Sequence, residues 1–166
     1  MKFIPKILVI FGFLLLGCTS NDAQREFEID AYQDPAGITS TSAQGEVTSE
    51  DPDDWRASPF FQGLIEVKPA YPNPIELGGV IEFEYFVLST QPVNGLQVVT
   101  RGVNGQLSNY IYTSSSNPLP NGIDNFRIDP KSLSPDGSDA LARGLHRVFF
   151  FDLNQRLISY GDIRVE

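Results

Sequence analysis

From residue 54 onward, apolar and polar residues alternate in short runs separated by turn-forming residues. That is the pattern of half-buried β-strands rather than of helices. The first run, residues 63–68, sets Leu64, Glu66 and Lys68 against Ile65 and Val67. Tyr71-Pro72-Asn73-Pro74 ends it, because proline has no amide to offer a central strand. In residues 79–88, Ile81, Phe83, Tyr85 and Val87 share one face, opposite Val80, Glu82, Glu84, Phe86 and Leu88. Runs at 95–102 and 106–113 flank Asn104-Gly105, a pair suited to the positive φ angles of a type I′ hairpin turn. A fifth run, 123–128, is closed by Asp129-Pro130. A polar loop follows at 132–143, with one possible helical turn at 138–143. Residues 145–152 hold Val148, Phe149, Phe150 and Phe151 in succession. A strand apolar on both faces is central and covered on both sides, or has one face against another surface. Residues 156–165 form the last strand, with Leu157, Ile163 and Val165 on one face and Gly161 as a candidate bulge.

About seven short strands at this spacing predict an all-β fold, an immunoglobulin-like antiparallel β-sandwich without the disulfide of antibody domains. A small barrel is the alternative. The sandwich is assigned to residues 55–166.

The upstream pattern differs twice. Residues 7–16 are apolar apart from Gly12, and Lys2 and Lys6 flank them. About ten such residues suit a secretory signal, whereas a helix needs ~20 to span a bilayer. Residues 18–54 are rich in Ser, Thr, Asp, Glu, Gln, Gly and Pro, with few large apolar side chains. Such a stretch buries too little to offset the entropy of ordering. It is expected to be an acidic, disordered tether, spanning roughly 30–37 Å as a flexible coil. Phe27-Glu28-Ile29-Asp30-Ala31-Tyr32 alternates and is the one part that could dock as a strand.

Leu15-Leu16-Gly17-Cys18 resembles the lipobox of bacterial lipoproteins. The resemblance implies a signal peptide at 1–17, cleavage between Gly17 and Cys18, and a Cys18 thiol carrying diacylglycerol with acyl chains such as palmitate. Two or more acyl chains suffice for stable attachment. Leu16 stands where a smaller residue is commoner. Cys18 is the chain's sole cysteine, so no internal disulfide is available. The implied place is the cell envelope, as an outer-membrane lipoprotein facing the periplasm or the surface. Acidic residues soon after Cys18 also resemble surface-export signals, although here they are scattered.

A second resemblance rests on Tyr71-Pro72-Asn73-Pro74, the later Asn104-Gly105, Leu141-Ala142-Arg143-Gly144-Leu145-His146-Arg147-Val148, and a terminal strand. This order is similar to the C-terminal sorting-type domain of type IX secretion cargo and to the immunoglobulin-like domain of flagellar hook-capping proteins. It implies the sandwich. It implies little about function, because no cargo domain precedes it and the chain ends Ile163-Arg164-Val165-Glu166.

A net charge of −9 argues against nucleic acid and against docking on anionic lipid by charge alone. No catalytic constellation, cofactor motif or metal-ligand spacing is visible. The lone His146 lies in a strand and reads as a packing residue. Glu82 and Glu84 share a strand face, and Asp136-Gly137-Ser138-Asp139 lacks the spacing of a calcium loop. The expected function is therefore a non-catalytic, lipid-anchored envelope protein with a β-sandwich interaction module, its partner an envelope protein or a glycan. Phe149 and Phe151, if exposed, and the loops 114–120 and 132–143 are candidate contacts. The alternative is a carbohydrate-binding or carbohydrate-processing accessory that stacks sugars on Trp55, Tyr110, Tyr112 and Tyr160. Exposed rings in a row would favour the alternative. Buried rings would favour the first reading, and Trp55, at the edge of the polar stretch, also suits a role capping the core.

Overall fold

The computed structural model describes residues 19–101 and 107–166. The proposed signal, Gly17, Cys18 and the Asn104-Gly105 turn lie outside the described residues. Helix α1 spans Thr19–Ala31. Nine strands follow: β1 Ser40–Thr41, β2 Val47–Ser49, β3 Ile65–Val67, β4 Ile81–Val87, β5 Leu96–Arg101, β6 Leu107–Ser114, β7 Gly122–Ile128, β8 Gly144–Phe151 and β9 Leu157–Val165. A 3-10 turn at Pro130–Leu133 and the short helix α2 at Asp139–Ala142 separate β7 from β8. Ser138 caps α2 by accepting the Leu141 amide, the helical turn expected within the 132–143 loop.

Strands β3 to β9 form an immunoglobulin-like antiparallel sandwich. One sheet has the order β3-β4-β7 and the other β6-β5-β8-β9. The core lies between them. Alternation places Ile81, Phe83, Tyr85 and Val87 inside along β4, with the residues between them half-buried. Phe150 sits at the centre, its ring 5.8 Å from Phe83, 6.2 Å from Trp55 and 6.3 Å from Phe126.

The outer face of the larger sheet is also covered. Val99, Phe149, Phe151, Leu157 and Tyr160 form a second buried cluster with Phe27 and Ala31 of α1. The two-faced apolarity of β8 therefore has a cause: Val148 and Phe150 face the other sheet, while Phe149 and Phe151 face the helix.

Here the tether expectation is corrected. Residues 19–54 carry α1, β1 and β2 and pack onto the sandwich. Phe27 lies 5.2 Å from the Tyr160 ring, and Tyr32 stacks on Phe149 at 5.3 Å. Phe27-Glu28-Ile29-Asp30-Ala31-Tyr32 docks, but as a helix with Phe27 and Ala31 inward, a four-residue spacing that sets both on one helical face. Few apolar residues are needed, because the sheet supplies the larger share of the buried surface.

The bulge expected at Gly161 is corrected too. Gly161 pairs in register with Val148, and the register shift lies one turn of the ladder away, between Phe150 and Phe151. That shift puts both Ile158 and Ser159 opposite Phe150 and moves Leu157 to the helix side, away from Ile163 and Val165. Gly161 is needed for another reason: a Cβ there would overlap the indole of Trp55.

Candidate functional site

The polar groups of this protein gather where residues 19–54 meet the outer face of β8 and β9. Arg147 and Asp162 are cross-strand partners. The Arg147 guanidinium donates from Nε to Oδ1 and from Nη2 to Oδ2 of Asp162, both at 2.7 Å. Its remaining nitrogen, Nη1, donates to the carbonyls of Asp30, Ala31 and Gln33 at 3.2, 3.2 and 3.1 Å. These carbonyls mark the end of α1, where helical partners run out. The last turn of α1 holds no basic residue, so the sheet provides the cation that a helix C-terminus favours. Arg147 also lies over the Tyr160 ring at 4.9 Å. Arg101 adds a second grip, donating to the Tyr32 carbonyl at 2.8 Å.

Asp54 sits behind this pair. Its carboxylate accepts the amides of Thr39 at 2.7 Å and Asp162 at 3.0 Å. Burial, then the nearby Asp162 charge, push its pKa up to about 7. Burial also pushes Asp162 upward, against the pull of Arg147. Asn73, fully buried, completes the seam. Its Nδ2 donates to the Thr39 and Asp162 carbonyls, both at 2.9 Å, and its Oδ1 accepts the Arg164 amide at 3.0 Å. A side chain with both donors and an acceptor is what this position uses. That is a physical reason for asparagine in Tyr71-Pro72-Asn73-Pro74.

The aromatic candidates are not brought into one row. Trp55 is buried against the core and Tyr160 under α1. The Tyr160 hydroxyl donates to Asp53 at 2.7 Å and accepts from Arg56 at 3.2 Å. Tyr112 stacks on Phe126 with ring centroids 3.8 Å apart. Of these four, Tyr110 alone is broadly exposed, at 53%. Phe149 and Phe151 are buried beneath the helix, so neither is a free contact. An open cleft of about 530 Å³ lies nearby, lined by Trp55, Tyr71, Glu50, Glu66, Lys68 and Glu84 among others.

Other candidate groups are engaged locally. His146 Nε2 lies 2.7 Å from the Ala142 carbonyl, and burial lowers the ring's pKa. Glu82 pairs with Arg127 at 2.7 Å rather than with Glu84. Asp136 accepts the Ser134 hydroxyl at 2.7 Å and the Ser138 amide at 2.9 Å, which hold its pKa down at about 2. Among the described residues no three His, Cys, Asp or Glu side chains cluster as metal ligands, and no helix is long and apolar enough to cross a membrane.

Sequence reasoning passed over Arg147, Asp162, Asp54 and Asn73. A signal was present for one of them: Arg147 falls at the start of the most apolar run in the chain, where an unpaired cation would be costly.

No family model matches the chain, and no curated protein matches it either. Among solved structures, the chain is similar to the CARDB domain of the PF1109 protein from Pyrococcus furiosus, a structure in complex with di-metal ions. The identity is 20%, the match covers 61% of this chain and 89% of that one, and the TM-score is 0.34. Nothing about ligand or partner is carried over at that level.

Proposed function

We propose that this is a non-catalytic, lipid-anchored protein of the cell envelope whose sandwich serves as an interaction module. The anchor rests on Lys2, Lys6, the apolar run and Leu15-Leu16-Gly17-Cys18. The observation that favours an interaction module over a sugar-stacking one is the fate of the rings: Trp55 and Tyr160 are 6% and 0% exposed and offer no face to a sugar. Asp162, Asp152, Glu82 and Asp136 support the same reading, since each is held by an arginine, a hydroxyl or a backbone amide. A membrane, through the lipid, and an envelope protein are the partners. Nucleic acid is not, given a charge of −9.

The test has two parts. Intact-mass analysis of the membrane fraction should find a mature chain starting at Cys18 and carrying acyl chains, with Cys18→Ser left unprocessed. An unmodified amino terminus elsewhere in the chain rejects the anchor. Glycan-array binding by the folded domain that is lost in Tyr110→Ala would reject the module reading in favour of the carbohydrate one.

A further inference from the structure

With a floppy tether, a lipid on Cys18 would leave the domain free to tumble above the membrane. The tether is instead a docked helix, and this has a geometric consequence. Helix α1 is described from Thr19, the residue after Cys18. Its course over the sheet is set by its contacts. Gln24 Oε1 accepts the Phe60 amide at 3.2 Å, Phe27 meets Tyr160, Tyr32 meets Phe149, and the carbonyls of Asp30, Ala31 and Gln33 meet Arg147. The helix thus starts at the end of the sandwich that holds the 152–156 turn and finishes towards the end where β8 begins. Gln24 lies five residues from Thr19, about 7.5 Å of helix.

Phe60, 41% exposed, sits at that starting end. Leu88, 46% exposed, is tied there through its amide to the Leu64 carbonyl at 2.9 Å. The opposite end holds α2, the 132–143 loop and Glu166, whose amide bonds Ile75 at 2.8 Å.

We propose that the domain is seated on the bilayer by its Phe60–Leu88 end, with the 132–143 loop directed away from the lipid. This rests on the lipid anchor proposed above. The occupant of the Phe60 end is the lipid surface, because Thr19, where α1 begins, directly follows Cys18 in the chain and no linker residue separates the helix from the anchor. The acyl chains supply the affinity, and the docked helix supplies the orientation. The 132–143 loop then becomes the contact surface offered to a partner, and 114–120, at the seated end, does not.

The test uses the full lipidated protein in phosphatidylethanolamine–phosphatidylglycerol vesicles, with photoreactive p-benzoylphenylalanine in place of Phe60 or, separately, Leu141. Lipid adducts are expected at position 60 and not at 141. Inserting twelve Gly-Ser residues between Cys18 and Thr19, a slack of roughly 17–21 Å, should abolish the adducts at 60 while leaving lipidation intact. Equal labelling at both positions, labelling at 141 alone, or adducts at 60 that persist with the insert would overturn the seating while the anchor stands. An intact mass showing Cys18 unmodified would overturn both.

Discussion

The two faces of the four-stranded sheet are covered by different means. The inner face meets the other sheet through rings and aliphatic chains, with Phe150, Phe83, Phe126 and Trp55 at the centre. The outer face meets a helix that contributes only Phe27 and Ala31 to its buried cluster, and a polar seam does much of the fastening. Apolar packing is non-directional and tolerates imprecision, so it can be assembled from alternation alone. A polar seam works only with each donor and acceptor placed. The first kind of contact holds the fold together, and the second decides where a particular segment lies.

This contrast is open to test by mutation. Phe150→Ala should cost about 3–5 kcal/mol, because it removes a ring from the centre of the core and leaves a cavity. Denaturant unfolding should show one cooperative transition shifted to lower denaturant. An unchanged midpoint would mean that the inner face is not the main source of stability.

Arg147→Ala strips the partner from a buried carboxylate and the donor from three carbonyls. Breaking such a pair costs about 3 kcal/mol or more, and here the loss should be concentrated on α1. Hydrogen exchange should speed up in residues 24–33 well before it does in β4 and β8. Arg147→Met combined with Asp162→Leu, which leaves no charge unpaired, should restore part of the global stability but not the grip on the helix end. If exchange in α1 is as slow in Arg147→Ala as in the wild type, the seam is not what holds the helix.

Gly161→Ala pushes a methyl group into the Trp55 indole and should cost about 1–3 kcal/mol by overpacking. Tryptophan fluorescence should shift with it, since Trp55 is the only tryptophan.

The pH effect has a definite sign. Asp54 ionises near pH 7 in the folded protein, well above a free carboxylate. Between about pH 4 and pH 7 Asp54 therefore holds more of its proton in the native state than in the unfolded chain, so its contribution to stability falls as pH rises through this window and levels off above it. Asp54→Asn should flatten that slope. A wild-type profile that rises monotonically from pH 4 to 7, with no change in the variant, would contradict the placement of Asp54. Smallest of all, Tyr110→Ala, on an exposed ring, should alter stability by no more than about 0.5 kcal/mol.

Much of the sandwich was legible in the chain. The period-two pattern of Ile81, Phe83, Tyr85 and Val87 requires one buried face, and that face is buried. The doubled apolarity of residues 148–151 requires a covered outer face, and the cover exists. What was not legible was its source. A helix with two inward residues resembles a solvated segment until the sheet it meets is known. The bulge beside Ile158 was hidden for a related reason: either register satisfies the local pattern, and the choice is made by the strand next to it.

The chain alone therefore determined the class of fold, the succession of its sandwich strands along the sequence and the buried face of strands such as β4. Each of these follows from local periodicity, which every strand carries in its own residues. Only the tertiary structure decided that residues 19–54 belong to the body, that Trp55 and Tyr160 are interior, and that Arg147, Asp162, Asp54 and Asn73 form one seam. The contacts of that seam reach up to 117 positions along the chain, as from Arg147 to the Asp30 carbonyl, and the residues around one end do not name the partner at the other.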